Sequence, residues 1–259
     1  MAVLEVRNLS IRFGGLIAVN DVDLDVEEHR ITGLIGPNGA GKTTVFNLIT
    51  GVYRPTAGTI SYRGRSLVGL KPYQIANLGV VRTFQNIRLF KNLTVYENVR
   101  TAAHAKARYS LLDGFAHTPK YMEHEEAIDM ETRKLLKMLD LDTRSDEVAS
   151  SLPYGLQRRL EIARALALGP DLLLLDEPAA GMNPQECKDL IAFIREVRGM
   201  FNLTVFLIEH HMDVIMDICD KIYVLNFGQL LAQGGPTEIQ NDPRVIEAYL
   251  GEEQRDVED

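Results

Sequence analysis

Apolar residues fall along this chain in three rhythms, and each rhythm predicts a different element. Short, mainly apolar runs occur at Ile31 to Ile35, Leu172 to Leu175 and Leu203 to Ile208. Runs of that length suit strands, and the four leucines read as a strand buried on both faces of a parallel sheet. Strict alternation occurs once: Val22, Leu24 and Val26 alternate with Asp21, Asp23 and Asp25. Period two predicts an antiparallel strand with one wet face. Helical spacing appears in Val45, Phe46, Leu48 and Ile49, with Gly51 as a stop. It recurs in Ile128, Leu135, Leu136 and Leu139, and again from Leu160 to Leu168. Each of these predicts a helix with an apolar stripe.

The remaining segments read from turn and cap chemistry. Val3 to Phe13 predicts a strand, a turn at Asn8 and a second extended piece. Thr59 to Arg63 reads as a short strand, Pro72 to Leu78 as a short helix, and Val80 to Phe84 as strand-like. Thr94-Val95-Tyr96-Glu97 fits the capping box and starts a helix at Val95. Asn183-Pro184 starts another, with Asn as N-cap and Pro at the first helical position. Lys221 to Leu225 and Leu230 to Gln233 form a hairpin pair around Phe227-Gly228. Between about Glu97 and Ala167 no strand signal appears. The expected organisation is therefore one α/β domain over 1–251 with an inserted helical sub-domain at about 88–167. A charged, unfolded tail is expected at 252–259.

Composition narrows the function classes. The chain has 259 residues and a net charge of −8. An acidic chain is poorly suited to sequence-independent nucleic-acid binding, so no nucleic-acid partner is expected. Cys187 and Cys219 form no C-x-x-C pair and read as packed, reduced thiols in helices, which fits a cytosolic setting. No signal peptide and no run of roughly 18 apolar residues is visible, so any membrane role is expected through a partner. His104, His117 and His124 lack metal-ligand spacing.

The chemistry centres on Gly36-Pro37-Asn38-Gly39-Ala40-Gly41-Lys42-Thr43-Thr44, a full match to the P-loop pattern between a strand and a helix. Glycines there let backbone N–H groups turn toward phosphate oxygens, and the helix N-terminus adds partial positive charge. Lys42 is expected on the β- and γ-phosphates, the Thr43 hydroxyl on Mg²⁺, and Thr44 near the α-phosphate. Asp176 and Glu177 end a buried strand, and in an open α/β sheet strand ends converge where ligands bind. Asp176 is thus expected near the Mg²⁺ of Thr43, and Glu177 beside it as base for an attacking water. His210 also follows a buried strand.

Taken together, the chain resembles an ATP-binding subunit of an ABC transporter. The resemblance runs over nearly the whole length: the P-loop, Gln85 as Q-loop glutamine, the signature helix at Leu152 to Leu168, and the strand Leu172 to Glu177. It continues through the D-loop Ala180 to Asn183, His210 as switch histidine and Phe13 as adenine platform. More narrowly, Arg82 to Phe90, Leu160 to Ala165, Glu177 to Pro184 and Ala248 to Gly251 are similar to ATPase subunits of branched-chain amino-acid importers. Urea and other amide importers and a lipopolysaccharide exporter use close relatives. Soluble ABC ATPases of DNA repair or translation carry long coiled-coil arms or a tandem second cassette, and neither pattern is read in these 259 residues, so that class is not expected.

The resemblance implies a P-loop core sheet with an N-terminal antiparallel β sub-domain. It implies hydrolysis of ATP to ADP and phosphate, coupled to import of a small solute. Catalytic roles would fall to Glu177, His210 and Gln85, and Mg²⁺ ligation to Thr43, Gln85 and Asp176. The implied partners are a second ATPase subunit, transmembrane permease subunits and, indirectly, a solute-binding protein, at the inner face of the membrane. Three positions depart from the family: the signature reads Leu152-Pro153-Tyr154-Gly155-Leu156, the D-loop ends in Asn183, and His211 follows the switch histidine. Pro153 has no hydroxyl and no N–H. The expected dimer partner is therefore a related but different subunit, with a homodimer as the alternative.

Overall fold

A computed structural model describes residues 1–107 and 109–253. The elements in chain order are β1 (Ala2–Phe13), β2 (Leu16–Glu27), β3 (Ile31–Ile35), α1 (Lys42–Ile49), β4 (Ala57–Tyr62), β5 (Arg65–Ser66), α2 (Pro72–Asn77) and β6 (Val80–Arg82). Four helices follow: α3 (Val95–Ala103), α4 (Leu111–Phe115), α5 (Pro119–Met138) and α6 (Tyr154–Ala167). The chain then runs through β7 (Leu172–Asp176), α7 (Pro184–Phe201), β8 (Thr204–Ile208), α8 (Met212–Ile218), β9 (Lys221–Asn226), β10 (Gln229–Gly234), α9 (Pro236–Gln240) and α10 (Pro243–Glu253).

These elements form two compact units, one from Met1–Gln85 with Asp171 onward, the other from Asn86–Pro170. The first holds two sheets, an antiparallel one in the order β2-β1-β4-β5 and a six-stranded one in the order β10-β9-β3-β8-β7-β6. In the second sheet β9, β3, β8, β7 and β6 are parallel, with β10 antiparallel at one edge. Every residue of β3, β7 and β8 is buried, as strands inside a parallel sheet covered on both faces require. Register then decides which residues meet at the carboxyl edge: Leu34 pairs with Ile208, and Ile208 with Asp176. Glu177 and Glu209 are the next residues past that row. Between the sheets lies a core that includes Leu4, Leu9, Val22, Phe46, Phe206 and Tyr223.

The second unit is helical. Thr94 Oγ1 accepts from Glu97 N at 3.1 Å, and Glu97 Oε2 accepts from Thr94 N at 2.8 Å, completing the capping box that opens α3. Inside this unit Arg158 and Glu161, buried on α6, pair at 2.7 Å. Burial pushes the Glu161 carboxyl up, opposed by the Arg88 N–H and the Arg158 charge.

The structure departs from the expectations at three places. Asn8 does not turn the chain: it adopts φ 50° inside a continuous β1, and the register shifts around it. Asp23 and Asp21 accept from its N–H and side-chain amide at 2.6 and 2.9 Å, which holds this bulge. Cys219 caps α8 rather than lying within it; both thiols are free, and burial pushes each of them up. Helix α10 continues to Glu253, so the start of the expected tail is helical. Glutamate is a good helix former, and an established helix adds each further residue cheaply. The rest of that expected tail, 254–259, lies outside the described residues. Among the described residues no helix is long and apolar enough to cross a membrane.

Candidate nucleotide-binding site

The turn from β3 into α1 is fixed by close backbone approach. Gly36 has φ 146°, and a Cβ there would stand 2.0 Å from Leu225 O. Gly41 has φ 101°, and a Cβ would stand 2.6 Å from Ala18 O. Only glycine satisfies both demands. Gly41 is the N-cap of α1 and gives no side-chain cap, so the first-turn N–H groups are aimed past the helix end. Lys42 is buried, 6% exposed, and its ammonium donates to Gly36 O at 2.6 Å and Pro37 O at 2.9 Å. This charge is carried back over its own loop.

A cavity of about 460 Å³ opens at this turn. Its lining includes Asn38 through Thr44, Phe13, Leu16 and Ile17 from the β1–β2 hairpin, Phe227 from the β9–β10 hairpin, and Glu177. Phe13 is 42% exposed and stands edge-on to Tyr53, with centroids 5.2 Å apart. A polar, N–H-rich floor with an apolar aromatic rim suits an anion carrying a flat ring. Leu16, Ile17 and Phe227 were not singled out in the sequence; exposed apolar residues at two hairpin tips were the available signal.

At the carboxyl edge of the parallel sheet Glu177 adopts φ 46°, a left-handed conformation uncommon for a residue with a Cβ. Its N–H donates to Ile208 O at 2.9 Å, which ties the end of β7 to β8. The Gln85 amide donates to Glu177 Oε2 at 2.7 Å, and His210 Nδ1 lies 3.5 Å from the same oxygen. Three residues distant in sequence thus meet on one carboxylate. Asp176 lies one residue earlier and does not line the cavity. It is paired with Arg82 at 2.5 Å, and both side chains are nearly buried. Arg82 also donates to Asn47 Oδ1 at 2.7 Å and lies over the rings of Phe46 and Phe84. Sequence reasoning missed Arg82, because nothing local distinguishes a strand arginine that faces inward.

Glu209 was missed as well. It is wholly buried, with Oε1 accepting from Ala179 N at 2.7 Å and Oε2 from His210 N at 3.1 Å. The carboxylate pins the loop after β7 to the loop after β8. Asn183 Oδ1 caps α7 by accepting from Gln185 N and Glu186 N, both at 3.0 Å. In the helical unit Pro153 is the N-cap of α6 without a side-chain cap bond, and space around Gly155 is open.

Comparison with known proteins identifies this arrangement. The ABC transporter family profile matches residues 19–180. The chain belongs to the ABC transporter family. A second profile, branched-chain amino acid ATP-binding cassette transporter, matches residues 229–254 of this ABC cassette. The high-affinity branched-chain amino acid transport ATP-binding protein LivG of Salmonella typhimurium is 52% identical over 96% of the cassette and 98% of its own length. BraF of Pseudomonas aeruginosa, of the same description, is 49% identical over 96% and 98%. Among solved structures, the ADP conformation of an ATP-binding cassette of an ABC transporter has a TM-score of 0.84 and 30% identity, covering 97% of this cassette and 99% of that chain. A nucleotide-free ATP-binding cassette has a TM-score of 0.82 and 31% identity, covering 96% and 99%.

Proposed function

We propose that this cassette is the ATP-hydrolysing subunit of an importer of branched-chain amino acids. The solute is carried over from the printed descriptions of relatives near 50% identity. The hydrolytic reading rests on one observation above the others: Gln85 and His210 converge on Glu177, which itself lines the P-loop cavity. ATP would sit with its phosphates on the backbone N–H groups after Pro37 in the P-loop and on Lys42, and its adenine against Phe13. Glu177 would accept the proton of the attacking water, oriented by the Gln85 amide. His210 would donate toward the γ-phosphate.

Thr43, Gln85 and Asp176 offer a hydroxyl, an amide oxygen and a carboxylate, the hard oxygen donors that Mg²⁺ takes. When bound, Mg²⁺ would neutralise charge on the β- and γ-phosphates. Because Asp176 is held by Arg82, its carboxylate is already oriented. Pro153, Tyr154 and Gly155 would face the nucleotide of a second ATPase subunit. Permease subunits would hold the pair at the inner face of the membrane, with a solute-binding protein reached indirectly.

Glu177→Gln tests this reading. The amide still accepts from Gln85 or donates to water but cannot take a proton, so single-turnover hydrolysis should fall by roughly 10²–10⁴ with ATP affinity kept. Hydrolysis at the parent rate would refute Glu177 as the base.

A further inference from the structure

The loop after β8 presents three ligating side chains in succession. Ligand atoms of Glu209, His210 and His211 all lie within 4.8 Å of one another. His211 Nδ1 stands 3.1 Å from Glu209 Oε2, and His210 Nδ1 stands 3.9 Å from the same oxygen. A tetrahedral ion with bonds of about 2.0–2.1 Å holds its ligands roughly 3.3–3.4 Å apart. The two observed spacings bracket that edge. The ring centroids of His210 and His211 lie 4.1 Å apart with a tilt of 36°, and each ring approaches Glu209 through Nδ1.

Three features make this more than two adjacent histidines. Glu209 is preorganised by the Ala179 N–H on Oε1 and by the His210 N–H on Oε2, the oxygen that faces the imidazoles, the kind of support that orients metal-bound carboxylates. His211 precedes α8 without a side-chain cap bond and turns back to Glu209 instead. Both imidazoles remain open to solvent, at 45% and 40% side-chain exposure, so an ion can enter. The same His210 Nδ1 lies 3.5 Å from Glu177 Oε2, so this nitrogen faces both carboxylates.

We propose that Glu209, His210 and His211 form a site for a borderline divalent transition-metal cation, with Zn²⁺ as its type, whose binding arrests ATP turnover. Two imidazole nitrogens and one carboxylate suit Zn²⁺ and not Mg²⁺, which takes oxygen donors. The site is thus chemically separate from the Mg²⁺ position. An ion on His210 Nδ1 competes with the contact to Glu177 and fixes the ring toward Glu209. The arrest rests on the roles proposed for His210 and Glu177; the binding does not.

The experiment uses the full chain without an affinity tag, freed of metal and titrated with Zn²⁺ against a chromophoric chelator in the absence of nucleotide. The expected result is one Zn²⁺ per chain, bound at least ~10-fold more weakly by His211→Gln. Zinc-free Mg-ATP turnover of His211→Gln should match the parent, whereas micromolar Zn²⁺ should inhibit the parent alone, reversibly on adding a zinc-selective chelator. Co²⁺ in the parent should give the visible absorption of a four-coordinate N/O site, which guards against a variant that misfolds. Equal Zn²⁺ affinity in parent and His211→Gln, or no Co²⁺ band in the parent, overturns the site. Zn²⁺ bound through His211 without inhibition overturns the arrest. Undiminished turnover in Glu177→Gln would instead refute the hydrolytic reading and leave the zinc titration unaffected.

Discussion

Replacing Arg82 with Met removes a charge from one of the least exposed ion pairs in the molecule. The Arg82 and Asp176 side chains are 6% and 5% exposed and 2.5 Å apart. Methionine keeps an unbranched apolar stem against Phe46 and Phe84, so packing loss is small. What remains is a buried Asp176 carboxylate with its cation gone, and an Asn47 oxygen that has lost its donor. Breaking a buried pair in this way costs about 3–5 kcal/mol, whereas an exposed pair contributes about 0–1 kcal/mol. With a urea slope near ~3 kcal/mol/M, the unfolding midpoint should fall by about 1–1.7 M. The chain has no tryptophan, so far-UV circular dichroism is the suitable probe, without nucleotide or Mg²⁺. The double variant Arg82→Met/Asp176→Asn should recover most of the loss, because neither charge is then stranded. A loss below about 1 kcal/mol for the single variant, or a double variant no better than the single, would refute the assignment of this pair as a buried structural anchor.

Lys42→Ala should abolish productive ATP binding, since it removes the buried ammonium that lies over the P-loop; unchanged equilibrium affinity for ATP would sink that role. Pro153→Ser should supply the side-chain N-cap that α6 lacks, stabilising the chain by about 1 kcal/mol in thermal unfolding. In a Glu177→Gln background the same change should tighten ATP-dependent dimerisation, because a hydrogen bond to a charged group contributes roughly 1.5–3 kcal/mol. Dimerisation that does not respond in sedimentation would mean that Gly155 and the helix end suffice.

Much of the site was legible because its chemistry is local. A P-loop needs glycine turns, a lysine and a hydroxyl at fixed spacing between a strand and a helix, so Gly36 to Thr44 carry the whole signal in nine letters. Caps are equally local: Thr94 and Asn183 start α3 and α7 through side chains that reach two or three residues on. Buried strands announced themselves because β3, β7 and β8 are covered on both faces and are built mainly of apolar residues, with Thr32, Asp176 and Thr204 as the buried exceptions.

Tertiary structure decided the rest, wherever a residue's partner lies on another strand. The alignment of Leu34, Ile208 and Asp176 across the parallel ladder is a matter of register, which no single strand encodes. That register brings Gln85 and His210 onto Glu177, sets Arg82 against Asp176, and buries Glu209 between two loops. Phe227 joins the cavity rim only because β9 lies beside β3 and delivers its hairpin to the P-loop. Asn8 reads as a turn in sequence, yet Asp21 and Asp23 on β2 hold it as a bulge. Short-range rules fix what a segment becomes; which side chains meet depends on pairings between strands far apart in sequence, stabilised by the common core they bury.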